Sequence, residues 1–151
     1  MTASPALPRS NLPTRLTTFI GRESEIAEIT SLLERERLIT LVGAGGCGKT
    51  RLAQVVARDR SQAVLWVDLS TLAEDELVVG AIASTLRLKE VPGRSQLEIV
   101  QDAVDGESAL LLLDNCEHLI ATCARVVDEL VGSCPNLTIL ATSREPLGVE
   151  G

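Results

Sequence analysis

Four apolar runs, separated by stretches in which apolar residues recur every three or four positions, set the rhythm of the chain. The runs are Leu38-Ile39-Thr40-Leu41-Val42, Ala63-Val64-Leu65-Trp66-Val67-Asp68-Leu69, Ala109-Leu110-Leu111-Leu112-Leu113-Asp114 and Leu137-Thr138-Ile139-Leu140-Ala141. Each has the length of a strand and little polar alternation, the pattern of strands buried on both faces. Trp66 is most simply a core residue. Between the runs the period becomes helical. Glu23 to Arg35 places Ile26, Ile29, Leu32 and Leu33 on one face, with acids in the first turn. A second helix begins at Lys49 and continues through Arg51-Leu52-Ala53-Gln54-Val55-Val56-Ala57. Thr71 and Glu74 form a capping-box pattern opening a helix through about Leu88, with Leu77, Val78, Ala81, Ile82 and Leu86 as its stripe. Val91-Pro92-Gly93 breaks it. Ser95 and Glu98 open another capped helix, with Leu97, Val100 and Val104 inward, which stops at Asp105-Gly106. A last helix is expected from about Glu117 to Val131.

Strands alternating with helices predict a parallel α/β sheet with right-handed crossovers, and ligands bind such sheets at the carboxyl ends of the strands. Three polar segments converge there: Gly43 to Thr50, Asp114, and Thr142-Ser143-Arg144. The first, Gly43-Ala44-Gly45-Gly46-Cys47-Gly48-Lys49-Thr50, matches G-x-x-x-x-G-K-[ST] in the strand–loop–helix context that gives the pattern meaning. Glycines let successive backbone N–H groups turn toward a phosphate, and the following helix adds its free N-terminal N–H groups. Lys49 is placed to reach the β- and γ-phosphates, and the Thr50 hydroxyl to ligate Mg²⁺. Asp114, an acid ending an all-apolar strand, is the Walker B arrangement and would hold the same ion opposite Thr50.

Composition narrows the setting. A chain of 151 residues fits one domain, and 45% hydrophobic residues give it a core to bury. Residues 1–17, with Pro5, Pro8 and Pro13, form an extended lead-in, and 18–151 form the domain. No apolar run reaches a membrane span, and no export signal is visible, so the expected location is the cytoplasm. The net charge of −7 argues against direct nucleic-acid binding by this chain. Cys116, Cys123 and Cys134 read as small buried thiols; four cysteines without C-x-x-C spacing and a single histidine do not suggest zinc. Cys47 sits where a thiolate is favoured, although any residue is tolerated at that loop position. His118 reads as structural or as support for a site residue.

Hydrolysis needs a group that orients or deprotonates water. Asn115, directly after Asp114, is an amide and no base. Glu117 reaches the site only if its turn bends inward; a first-turn helix acid is the plainer alternative. Arg144, at the end of a buried strand, is a candidate γ-phosphate sensor.

Phe19-Ile20-Gly21-Arg22-Glu23, the glycine loop, Leu110-Leu111-Leu112-Leu113-Asp114-Asn115-Cys116-Glu117-His118-Leu119 and Ala141-Thr142-Ser143-Arg144-Glu145-Pro146-Leu147-Gly148 resemble, in order and spacing, the STAND-class signal-transduction ATPases. The likeness is closest to bacterial LuxR/AfsR-type regulators with an NB-ARC-like nucleotide-binding domain. It implies a three-layer P-loop NTPase fold of the ASCE/AAA type, with sheet order 5-1-4-3-2. It also implies ATP or ADP with Mg²⁺, bordered by Ile20, Gly21 and Arg22 at the adenine. Gly43, Ala44, Gly45, Gly46, Cys47, Gly48, Lys49, Thr50 and Arg51 would lie at the phosphates, Asp114 at the metal, and Arg144 would be the first sensor. Such proteins continue into a fifth strand and a helical lid, so the chain is expected to be a partial domain whose partners are the nucleotide and either its own copies or the remainder of a parent protein. Three functions follow: a nucleotide switch that hydrolyses slowly at best, a competent ATPase using Glu117 as base, or an interaction fragment docking through its open sheet edge.

Overall fold

The computed structural model describes residues 10–12, 22–44, 48–58, 60, 62–72 and 77–148, except for the side chain of Leu77. Each apolar run forms a strand: β1 (Leu38–Val42), β2 (Ala63–Asp68), β3 (Ala109–Asp114) and β4 (Leu137–Ser143). The helices are α1 (Glu23–Arg35), α2 (Lys49–Arg58), α3 (Leu77–Thr85), α4 (Gln96–Val104) and α5 (Ile120–Ser133). The sheet runs β1-β4-β3-β2, and every pairing is parallel. The order agrees with the 1-4-3-2 part of the expected sequence of strands.

Helices cover both faces, which explains the strand pattern. On one face Leu65, Val67, Leu111, Leu113 and Ile139 pack against α3, α4 and α5 through Val78, Ile82, Val100, Val126 and Leu130. On the other, Val64, Leu110, Leu112 and Leu140 meet Ile29 and Leu33 of α1 and Leu52 and Val56 of α2. The architecture is therefore the three-layer α/β sandwich. All six residues of β3 are buried, because it has a strand on each side and helices above and below. Each fully buried leucine there contributes about 1.5–3 kcal/mol, so the run that looked most strand-like also anchors the site most firmly.

Several local expectations need correction. The chain after β3 does not enter one helix at Glu117. Asn115 is left-handed (φ 63°, ψ 52°), a short 3₁₀ turn follows at Cys116–His118, and α5 starts at Ile120. Asparagine tolerates the left-handed region better than most residues, so it can turn the chain where a strand must leave the sheet abruptly. The helix expected through Leu88 stops at Thr85: Arg87 is left-handed (φ 57°), and the Leu88 N–H closes on the Ala83 carbonyl at 3.0 Å, a Schellman-type ending without glycine. Thr71 lies in a turn, and Glu74 falls outside the described residues. The Ser95 cap is present, with its Oγ accepting from the Glu98 N–H at 3.1 Å. Trp66 is only partly buried, and its ring N–H is committed to the site. In the lead-in, Ser10 bridges Val64 in parallel, and the Asn11 amide makes both bonds a strand neighbour would make, to the N–H and C=O of Trp66. Asn11 thus covers part of the open edge of β2.

Candidate functional site

The carboxyl ends of β1, β4 and β3 gather the three polar segments. The Gly43 N–H donates to the Ser143 carbonyl at 3.2 Å, which extends β1–β4 pairing into the start of the loop. Lys49 Nζ donates to the carbonyls of Gly43 (2.7 Å) and Ala44 (3.0 Å), so the first two residues of the loop meet the ammonium that the sequence assigned to phosphate. Gly48 has φ +85°; a Cβ there would lie 3.8 Å from Arg22 Nη2, so the backbone conformation rather than space demands glycine. The Leu52 N–H then reaches the Gly48 carbonyl and α2 is under way.

Thr50 Oγ1 donates to Asp114 Oδ1 at 2.8 Å, joining positions 64 residues apart. Asp114 is 1% exposed. The Thr142 hydroxyl also donates to Oδ1, and Trp66 Nε1 donates to Oδ2 at 3.3 Å. Donors from α2, β4 and β2 therefore hold both oxygens, which offsets the cost of burying the carboxyl group. Thr142 does a second job: its Oγ1 accepts from the Asn115 N–H at 2.9 Å. The Asn115 side chain turns to the next strand, where Nδ2 donates to Asp68 Oδ1 at 2.9 Å. Asp68 pairs in register with Asp114. Partial burial alone would raise the Asp68 pKa, but the Ser70 N–H, the Asn115 amide and the Ser70 hydroxyl outweigh it and hold the carboxyl below its ordinary range.

The donor set suits a hard cation that keeps most of its water. Thr50 and Asp114 present oxygens within hydrogen-bond distance of each other, as two neighbouring ligands of one small ion must be. No group of three or more His, Cys, Asp or Glu ligands occurs among the described residues, so protein alone would not complete a cage. Phosphate and water would supply the remainder, as is usual for Mg²⁺.

Arg22 stands immediately before α1 and donates to Glu25 at 3.2 Å, with its guanidinium beside Gly48. With Lys49, Glu25, Glu28 and Thr40 it forms the polar lining of a cavity of about 400 Å³ whose apolar wall includes Ile29, Leu32, Leu41 and Leu52. That volume lies in the range of small-molecule sites. Arg51 occupies the first turn of α2, partly buried. Arg144 follows β4 directly and is exposed, with no hydrogen bond or ion pair to its side chain among the described residues. Ile20, Gly21, Gly45, Gly46 and Cys47 lie outside the described residues.

Glu117 sits half-buried in the 3₁₀ turn, and no hydrogen bond ties it to Thr50, Asp114 or Lys49. Its charge instead acts on Cys116. That thiol is pushed far above its ordinary pKa by hydrogen bonding with Cys123 and by burial, with the nearby charges of Cys123, Glu117 and Asp114 adding to the effect. Cys116, Cys123 and Cys134 are all buried free thiols, and His118 is exposed. Trp66 and Asp68 are the site residues that sequence reasoning did not place there, and Thr142, placed there with Ser143 and Arg144, was given no role of its own. Asp68 and Thr142 carry a weak signal, since each is a polar residue at the end of an apolar run. Trp66 carries none, because a tryptophan in such a run looks like core.

A family model described as an AAA ATPase domain matches residues 18–140. A Mycobacterium tuberculosis protein named "Putative HTH-type transcriptional regulator" is 45% identical over 123 residues, covering 80% of this chain and 14% of the regulator. A second, uncharacterized M. tuberculosis protein is 37% identical over 140 residues, 90% of this chain and 36% of that protein. The chain thus spans well under half the length of these relatives. Among solved structures, a Pyrococcus horikoshii STAND protein with a tetratricopeptide repeat sensor superposes with TM-score 0.63 at 15% identity, covering 97% of this chain and 23% of its own. Cdc6p from Pyrobaculum aerophilum gives TM-score 0.63 at 19% identity, covering 89% and 41%. At those identities the likeness is one of fold. Among the described residues no helix is long and apolar enough to cross a membrane.

Proposed function

The chain belongs to the AAA ATPase domain family, and from that premise we propose that it is the adenine-nucleotide-binding switch module of a signal-transduction regulator, hydrolysing ATP slowly at best. The observation that carries the proposal is the Thr50–Asp114 hydrogen bond, which brings the phosphate loop and the strand-end acid to one point. In this role Gly43 to Thr50, with Arg51 behind them, hold the phosphates, and Lys49 exchanges the carbonyls of Gly43 and Ala44 for phosphate oxygens. Thr50 and Asp114 hold Mg²⁺, which when bound neutralises charge building on the β- and γ-phosphates. Arg22, which lines the cavity, borders the nucleoside, next to Ile20 and Gly21 in the chain. Arg144, exposed at the end of the strand between the loop and Asp114, senses the γ-phosphate.

The regulatory setting rests on the relatives' names and on the STAND resemblance of the four motifs. Glu117 is not favoured as a base, since nothing connects it to the Thr50–Asp114 centre. Titration calorimetry with Mg·ATP and Mg·ADP tests the proposal. Binding is expected for the unaltered chain and is expected to be lost in Lys49→Ala. Asp114→Ala should bind nucleotide without benefit from Mg²⁺. Equal heats for the unaltered chain and Lys49→Ala would refute a nucleotide module, and turnover at metabolic-enzyme rates would refute a switch.

A further inference from the structure

Residues 10–12 hold the sheet by little. Among the described residues their contact with β2 is one parallel bridge, Ser10 to Val64, and one side chain, Asn11. The Asn11 amide accepts from the Trp66 N–H at 2.6 Å and donates to the Trp66 carbonyl at 2.7 Å. The backbone turns at once, with the Leu12 N–H on the Ser10 hydroxyl at 3.2 Å. Both Asn11 bonds are exposed, so water can replace them and the segment can leave without breaking the sheet. This slight contact lands on one particular residue. Of the strand Ala63–Asp68 it meets the side chain's owner that reaches the metal acid: Trp66 Nε1 donates to Asp114 Oδ2 at 3.3 Å. Leu12 and the Trp66 ring pack on the same apolar face of the sheet, the one covered by α1 and α2. A line of contacts therefore runs from Asn11 through Trp66 and Asp114 to Thr50, in the first turn of α2. Covering an open edge would be served by pairing anywhere along β2 and needs no indole N–H.

We propose that residues 10–12 are a latch on the Mg²⁺ centre, with Trp66 as the positioning residue that connects the two. The inference rests on the nucleotide-binding function proposed above. Seated, Asn11 fixes the Trp66 backbone from the open side of β2. The indole N–H then holds Asp114 Oδ2, which resists rotation of the carboxylate and keeps Oδ1 beside Thr50. Released, Trp66 loses both partners of its backbone, and its ring is free to shift away from Asp114. The Thr142 hydroxyl still holds Oδ1, so the acid stays in place but is less firmly set toward the ion. Such coupling is reciprocal. A seated latch favours Mg²⁺-dependent nucleotide binding, and bound Mg·nucleotide favours the seated latch by the same factor. Anything that draws on the lead-in therefore weakens the hold on Mg·nucleotide, from outside the pocket.

The test is the ratio of the ADP Kd in EDTA to that in Mg²⁺, measured by calorimetry on the whole chain. Asn11→Leu keeps the size of the side chain and removes both hydrogen bonds; Trp66→Phe keeps an aromatic ring and removes the N–H. Each is expected to lower the ratio by about three- to tenfold, with affinity in EDTA within about twofold of the unaltered chain. The double variant should lose no more than Trp66→Phe alone, because the latch acts through the indole. A merely structural role would weaken binding equally with and without Mg²⁺. That result, an unchanged ratio in either single variant, or multiplicative losses in the double variant would overturn the proposal. The unaltered chain supplies a test that no folding defect confuses: trypsin cleavage after Arg9, beside the latch, measured against nucleotide-free controls. Mg·ADP should slow it at least about threefold more than ADP in EDTA, and equal protection would overturn the coupling. Lys49-dependent binding with no benefit from Mg²⁺ would overturn the latch and leave the binding module standing. Absence of binding altogether would remove both.

Discussion

Replacing Thr142 by valine removes a hydroxyl while keeping the shape of a fully buried side chain, 1% exposed. That hydroxyl donates to Asp114 Oδ1 and accepts from the Asn115 N–H at 2.9 Å. A hydrogen bond to a carboxylate contributes about 1.5–3 kcal/mol, and an N–H left without a partner in the interior costs about 1–3 kcal/mol. Asn115 is only partly buried, so water recovers some of the second loss. Asp114 keeps Thr50 and Trp66 as donors, which limits the first. The expected destabilisation is therefore about 2–4 kcal/mol, a large fraction of the stability of an ordinary domain. Urea unfolding followed by circular dichroism measures it, with an unchanged dependence on denaturant as the check that only stability moved. Thr50→Val is the contrast: one bond of three on Asp114 disappears, but this one is only part-buried, so water can replace it, no N–H is orphaned, and the loss should stay near 1 kcal/mol while the benefit of Mg²⁺ for nucleotide binding vanishes. A Thr142→Val loss below 1 kcal/mol, or one no larger than that of Thr50→Val, would refute the view that Thr142 is the keystone beneath Asp114.

Two further outcomes follow from the same geometry. Cys116 has its pKa raised, so the folded state holds its proton where the unfolded chain releases it; the stabilisation is complete below the ordinary thiol pKa of about 8.5 and declines as pH rises above it. Unfolding free energy should fall by about 1 kcal/mol between pH 8 and 9.5, and Cys116→Ala should flatten that slope; a slope unaffected by the substitution would count against the assignment. Ser95→Ala removes the cap on the Glu98 N–H and should cost about 1 kcal/mol by urea unfolding, with nucleotide affinity unchanged because α4 packs on the face of the sheet opposite α2.

The sequence by itself determined the strands, the loop and Asp114. Their signals are local: unbroken apolar runs demand burial on both faces, and the glycine-lysine-threonine spacing has a chemical reason at each position. β1 and β4 begin where their apolar runs begin, β2 stops one residue short of its run at Asp68, and α2 starts at Lys49. Contacts between distant segments were left to the tertiary structure. Nothing near Trp66 in the chain announces that its ring N–H meets Asp114, 48 residues away, and nothing near Asp68 announces Asn115, 47 residues away. Both contacts exist because parallel pairing sets β2 and β3 in register, Asp68 against Asp114, so that the strand ends share one edge. The left-handed turn at Asn115 was equally hidden: asparagine permits that conformation without requiring it, and the sheet it must leave makes the choice. It is the same turn that stops a helix from beginning at Glu117 and leaves that acid in a short 3₁₀ turn, without a hydrogen bond to Thr50 or Asp114.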